Sequence, residues 1–215
     1  MKKSDLPSKV FPPGAKNVPD LRIAAKKWAA QNRDLPAKEF ELIITSLILE
    51  PSAMKKCMGG ILLGYMPAQR GMIDPFLYEK WLDHAVGWAE VDAICYGNFT
   101  AAEILADFKS WKLLIKKLAQ SDNINERRAS IVLLTKPVKD SPDKRLSALA
   151  FSIIDKLMEE RAPLLTKAIS WLLRNLIRFN RIGVEEYLHS NIDTLPKIAL
   201  RETANKLRSG RKSGL

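Results

Sequence analysis

The sequence has little of what several classes of site require. Among 215 residues there are two cysteines and two histidines. Cys57 and Cys95 lie in apolar surroundings without the paired spacing of a zinc site, so we expect small buried residues and no disulfide framework. His84 and His189 are far apart and belong to no metal-ligand motif, which favours surface or packing positions. We therefore expect no metal site.

Long apolar runs and nucleotide-binding motifs are also absent. No apolar stretch approaches the roughly 20 residues that a membrane helix needs. The opening MKKSDLPSKV lacks the apolar core of a signal peptide, so we expect a cytoplasmic protein that does not bind membranes. A Walker loop, a GxGxxG fingerprint and a GxSxG elbow are missing, and the sequence gives no support to the chemistries that use them.

What the sequence does have is positive charge. Thirty-five Lys and Arg stand against 24 Asp and Glu, a net charge of +11. A basic surface favours a polyanionic partner such as nucleic acid, because each neutralised phosphate releases a counterion. The alternative is a basic protein whose charge only keeps it soluble.

Apolar residues recur at helical spacing almost to the C-terminus, with breakers at regular intervals, and no stretch has the period of a β-strand. Many helices of similar length with short connections predict an all-α fold of antiparallel helix pairs, stacked as in HEAT-like repeats. A compact helical bundle is the alternative. We expect a loose segment over residues 1–18, one helical domain over 19–207 and a flexible basic tail over 208–215.

Local signals predict where several helices begin and end. Asp20 is a candidate N-cap for the first helix. Thr100-Ala-Ala-Glu103 has the spacing of a capping box and predicts a helix that ends near Leu118. Pro163 suits the first turn of another helix, which reaches about Phe179.

Trp88 and Asp92 are the first candidate site residues. On a helix, positions four apart lie on one face, one turn from each other. The alternative is that Trp88 serves packing and that Asp92 is a solvated or capping acid.

Two further segments combine cations with helical spacing. Arg127 and Arg128 are adjacent, so their side chains point about 100° apart and cannot share one role. Both being solvated is the alternative. Lys167, Trp171 and Arg174 form a basic and aromatic stripe at i, i+4 and i+7, which suits a sugar-phosphate contact. A core tryptophan with snorkelling neighbours is equally ordinary.

Together these segments resemble the HEAT-like-repeat DNA alkylation repair enzymes, the AlkD type of alkylpurine DNA glycosylase. The matching stretches are Trp88 with Val91-Asp92, Ser121-Asp-Asn-Ile followed by Arg128-Ala-Ser-Ile, and Lys167-Ala-Ile-Ser-Trp-Leu-Leu-Arg174. Gly14 with Pro19-Asp-Leu-Arg22 and, near the end, Arg201-Glu202 also fit. The family has a helix ahead of its Lys-Ser-Asp-Leu-like segment, and here Lys3-Ser-Asp-Leu6 comes almost at the first residue, so we expect that helix to be missing.

The resemblance implies a right-handed superhelical stack of helix pairs that hydrolyses the glycosidic bond of N3- or N7-alkylated purines in duplex DNA. It implies Asp92 as the catalytic carboxylate, Trp88 and Trp171 as sugar contacts, and Arg128 as a contact to the DNA backbone. Arg127, Lys167 and Arg174 are further candidate DNA-binding residues.

The resemblance implies no metal and no organic cofactor, and we expect a monomer. We also expect Trp88, Trp171, Asp92 and Arg128 to converge on one concave surface. Two rival hypotheses remain: a catalytically weak relative that only binds DNA, and a helical scaffold for a protein partner.

Overall fold

The computed structural model describes residues 10–12 and 14–215. Within these residues the chain forms twelve α-helices and no β-strand, so the predicted all-α class is confirmed. None of the helices in this part of the chain is long and apolar enough to cross a membrane. The Lys3-Ser-Asp-Leu6 segment and residues 7–9 and 13 of the predicted loose segment lie outside the described residues.

The chain divides into two compact units, one ending at Asn98 and the other spanning Phe99–Leu215. The single domain expected over residues 19–207 stays a prediction. The helices of the first unit are α1 (Val18–Gln31), α2 (Ala37–Ile48), α3 (Ala53–Tyr65), α4 (Pro67–Arg70), α5 (Leu77–Asp83) and α6 (Gly87–Cys95).

Helix α3 lies at the centre of the first unit, where it packs against α1, α2 and α6. Its whole middle is buried, from Lys56 to Leu63. Contacts between α3 and α6 advance in the same direction along both helices: Lys56 pairs with Glu90, and Gly60 faces Ala93. The two helices are therefore parallel neighbours.

Gly60 is the point of closest approach between α3 and α6. A Cβ added there would lie 2.5 Å from the carbonyl carbon and oxygen of Ala93, and main-chain atoms cannot rotate away as a side chain can. We expect Gly60→Ala to lower the free energy of unfolding by about 1–3 kcal/mol, measured by urea denaturation. Gly71→Ala is the matched control, since its nearest atom is Pro67 O at 3.4 Å. Equal midpoints for the two variants would contradict this packing.

Helix α5 joins the core of the first unit through Trp81. This ring is fully buried, and its Nε1–H donates to Thr45 Oγ1 on α2 at 3.1 Å. Tyr78 meets it edge to face, with ring centroids 4.9 Å apart. Trp81 is thus a structural tryptophan, whereas Trp88, seven residues later, is exposed.

The second unit contains α7 (Ala101–Ala106), α8 (Phe108–Leu118), α9 (Ile124–Asp140), α10 (Lys144–Leu157), α11 (Pro163–Ser190) and α12 (Lys197–Ser209). Helix α11 packs between α9 and α12. Contacts again advance in the same direction along neighbouring helices: Arg128 on α9 donates to Leu164 O on α11, and Arg174 on α11 pairs with Glu202 on α12. Asn175 Nδ2–H donates to Thr135 O on α9 at 2.9 Å, and Arg181 donates to Leu207 O on α12 at 2.6 Å.

The same order of contacts makes α9, the first part of α11 and α12 parallel neighbours. Helix α11 leaves helical geometry at Asn180 (φ −139°, ψ 50°), close to the end predicted at Phe179. Beyond this break, Tyr187 donates to Asp155 on α10 at 2.6 Å. Parallel neighbours drawn from alternate helices are what stacked antiparallel pairs produce. The right-handed superhelix stays a prediction.

Several local predictions are confirmed and two are wrong. Thr100 and Glu103 form the predicted capping box, and both cysteines are free and buried. Asp20 is not the first N-cap: it lies in the first turn, where its N–H donates to Asn17 Oδ1 at 3.0 Å. The helix predicted from Thr100 to Leu118 breaks at Asp107, whose carboxylate caps α8 instead.

Candidate functional site

Trp88 and Asp92 lie one turn apart on α6, as predicted. The buried face of this helix is formed by Glu90, Val91, Ile94 and Cys95. Trp88 lies away from that face and is 64% exposed, so the alternative that it serves core packing is wrong. Asp92 is half-buried. Tryptophan is enriched among the residues that contribute most to binding, so the exposed ring is a candidate contact residue.

The position of Asp92 within α6 does not favour helix stability. The helix ends at Cys95, so Asp92 is in its last turn, where no basic residue accompanies it. The C-terminal end of a helix carries partial negative charge, and an acid there is unfavourable by about 0.3–1 kcal/mol.

The turn that precedes α6 exposes a second apolar side chain. Val86 is 69% exposed, and Gly87 follows it with φ +74°, a conformation that favours glycine. The turn thus presents Val86 and Trp88 to solvent two residues apart. Nothing in the sequence marks Val86 as an exposed residue.

Arg127 and Arg128 point in different directions, as helical geometry predicts. Arg127 Nε lies 2.8 Å from Glu160 Oε1, and its NH1 donates to Ser121 O at 2.8 Å. Arg128 is only 6% exposed, and its NH1 donates to Leu164 O, in the first turn of α11, at 2.7 Å. The alternative of two solvated arginines is therefore wrong. Their contacts with DNA stay predictions.

The burial of Arg128 adds a stability role to the expected DNA contact. We expect Arg128→Met to lower the free energy of unfolding by about 1–3 kcal/mol, because the Leu164 carbonyl loses a charged donor. Thermal unfolding measures this effect.

A DNA contact of Arg128 would in addition lower the slope of log K against log salt by about 1. Arg127→Met is the control, with the smaller effect on DNA binding. Equal effects of the two variants on DNA binding would show that Arg127 and Arg128 contribute equally to it.

The predicted stripe on α11 is only partly exposed. Lys167 is exposed and Trp171 is half-buried. Arg174 forms an ion pair with Glu202 on α12 and also donates to Ser170 Oγ. Burial lowers the pKa of Arg174, while the Glu202 carboxylate acts in the opposite direction. The Arg174 charge is thus balanced inside the unit, and this pair joins α11 to α12.

Two lysines near Arg174 were not singled out from the sequence. Burial lowers the pKa of Lys206, and the positive charges of Arg174 and Lys139 lower it further. The three cations therefore lie close enough to repel one another. Lys139 is in the last turn of α9 and Lys206 is in the last turn of α12, so no sequence spacing connects them and only packing brings them together.

Within the part of the chain that the structure describes, no group of three or more His, Cys, Asp or Glu is arranged to hold a metal ion.

The described part of the protein is all-helical, with an exposed tryptophan and a carboxylate on one helix and a basic, aromatic stripe on another.

A family model described as DNA alkylation repair enzyme matches residues 12–207, and the chain belongs to this family. A search among curated proteins gave no match. The resemblance found in the sequence is therefore confirmed, and with it a role in DNA repair with DNA as the substrate. The expected convergence of Trp88 and Asp92 with Arg128 and Trp171 stays a prediction.

Proposed function

We propose that the chain is a DNA glycosylase that hydrolyses the N-glycosidic bond of cationic N3- and N7-alkylated purines in duplex DNA, such as 3-methyladenine and 7-methylguanine. The observation that carries the proposal is the exposed Trp88 one turn from Asp92 on α6, in a chain of the alkylation repair family. The net charge of +11 suits a polyanionic substrate.

The chemistry gives the Asp92 carboxylate a defined task. Alkylation at N3 or N7 makes the purine cationic. When the glycosidic bond breaks, its electron pair goes to the base, which leaves as a neutral molecule. Positive charge then develops on the sugar as an oxocarbenium ion. A carboxylate near the anomeric carbon stabilises that charge and orients the water that attacks it, as glycosidases do.

Aromatic rings complement this role. The π face of an indole attracts a cation, at about 0.5–2 kcal/mol depending on its exposure. In the proposal Trp88 contacts the deoxyribose at the lesion, and Trp171 has the same role. The half-burial of Trp171 leaves part of its ring accessible for this contact.

DNA binding is assigned to cations with different surroundings. Lys167 is exposed, which suits a direct phosphate contact. Arg127, Arg128 and Arg174 also hold intramolecular partners. In the proposal Arg127 and Arg128 order helix ends and Arg174 joins α11 to α12, and all three also contact phosphate. Lys139 is exposed and is added to this set because packing gathers it with Arg174.

Two measurements separate the proposal from its rivals. A steep fall of DNA affinity with salt is expected for a DNA-binding protein, and salt-insensitive weak binding would favour a protein scaffold. Incubation with methylated duplex DNA, followed by chromatography of the freed bases, separates a glycosylase from a protein that only binds. Tight binding without base release would favour the catalytically weak relative.

A further inference from the structure

A buried ion pair lies beneath the turn that leads into α6. Lys56 and Glu90 expose only 9% and 7% of their side chains, and Lys56 Nζ lies 3.2 Å from Glu90 Oε2. The same ammonium group donates to His84 O at 2.6 Å. The same carboxylate oxygen accepts from the Val86 N–H at 2.8 Å. Two side chains thus connect α3, the turn at residues 84–86 and α6.

Stability alone does not account for this pair. Lysine and glutamate are rarely buried, because removing their charges from water costs several kcal/mol for each ion. Apolar residues of similar volume at such places are often neutral or stabilising. What an apolar pair would not supply is the set of bonds to the turn backbone. Those bonds fix the conformation of His84–Gly87, including Gly87 at φ +74°.

The other end of α6 is fixed to α3 as well. The Asn98 amide donates to Gly60 O at 2.9 Å and to Ile94 O at 2.7 Å. Between the two ends, Gly60 lets the backbones of α3 and α6 approach closely. Helix α6 is therefore held on its buried side by polar contacts at both ends, and Trp88 and Asp92 lie between them.

We infer that Lys56 and Glu90 are positioning residues, which hold the first turn of α6 so that Trp88 and Asp92 meet the substrate in a fixed geometry. The inference rests on the proposed function for the role of those two residues. Neither Lys56 nor Glu90 contacts substrate, and their charges balance each other inside the unit. Catalysis depends steeply on position: a misplacement of about 1 Å can cost roughly 100-fold in rate.

The test is the double variant Lys56→Met/Glu90→Leu, which replaces the pair with apolar side chains. We expect it to fold with a lowered thermal midpoint, because His84 O and the Val86 N–H lose their partners, and to keep the wild-type KM for methylated duplex. Its kcat for base release is expected to fall by about 10- to 100-fold. The variant Lys56→Met/Glu90→Gln keeps an amide oxygen for the Val86 N–H, and part of the lost kcat is expected to return.

The matched control is Glu50→Leu/Lys55→Met. It removes a neighbouring ion pair (3.3 Å) that is about one-third exposed, and it is expected to leave kcat unchanged. Wild-type kcat in the apolar double variant would overturn the inference. So would a double variant that does not fold, because the pair would then be needed for the fold itself.

A second measurement does not depend on glycosylase activity. Amide hydrogen exchange over residues 84–89 is expected to accelerate in the apolar double variant and to stay unchanged in the control. If the wild type releases no base, the proposed function fails, and the exchange data still test the positioning role. Unchanged exchange in both variants would overturn the positioning role even if base release is observed.

Discussion

Asp92→Asn is expected to reduce base release by about 100-fold or more while the fold and the DNA affinity are retained. The substitution keeps the size of the side chain and removes its charge, and loss of a main electrostatic stabiliser commonly has this effect. Asp92 is in the last turn of α6, where a negative charge is slightly unfavourable. The thermal midpoint of the variant is expected to stay close to that of the wild type.

The measurement is the single-turnover rate of base release from methylated duplex, together with the DNA dissociation constant and the thermal midpoint. Asp83→Asn is the matched control, because Asp83 ends α5, is exposed and carries the same charge. Its rate of base release is expected to equal that of the wild type. If Asp92→Asn keeps a near-wild-type rate, the catalytic role of Asp92 is wrong.

The two tryptophans Trp81 and Trp88 are expected to respond in opposite ways to the same substitution. Trp81→Ala removes a fully buried ring and its hydrogen bond to Thr45, so we expect a loss of about 3–5 kcal/mol in the free energy of unfolding. Trp88→Ala removes an exposed ring and is expected to stay within about 0.5 kcal/mol of the wild type. Base release should nevertheless fall about 10-fold, the loss expected from one cation–π contact.

Chemical denaturation and single-turnover kinetics on both variants test this contrast, and each variant is the control for the other. A destabilised Trp88→Ala would show that its ring serves the fold. An undiminished rate of base release would show that Trp88 does not contact the sugar. After either result, Trp88 would no longer be proposed to act together with Asp92.

Helix capping and apolar periodicity predicted much of the fold. The Thr100–Glu103 capping box and the helix from Pro163 to about Phe179 are visible because their signals are local. The break at Asp107 was missed because the apolar period continues across it. The break results from the Asp107 side chain, which accepts the Ser110 N–H and begins a new helix. Such competition between a cap and a continuing helix is decided by tertiary packing.

The candidate site was predictable where the spacing of residues along one helix determines which of them share a face. Trp88 and Asp92 share a face because they are four residues apart. The burial of Arg128 was not predictable, because its partner, the carbonyl of Leu164, belongs to a helix 36 residues away. The same holds for the Arg174–Glu202 pair. The Lys56–Glu90 pair has no signal in sequence either, since nothing local distinguishes these residues from solvated ones.

The central claim is that this chain cleaves the glycosidic bond of alkylated purines, and its most direct test is a time course of base release. The wild-type protein is mixed in excess with methylated duplex DNA, and freed bases are separated by chromatography. We expect first-order release of 3-methyladenine or 7-methylguanine, with one abasic site for each base released. Release no faster than spontaneous depurination, by protein that binds the same duplex, would contradict it.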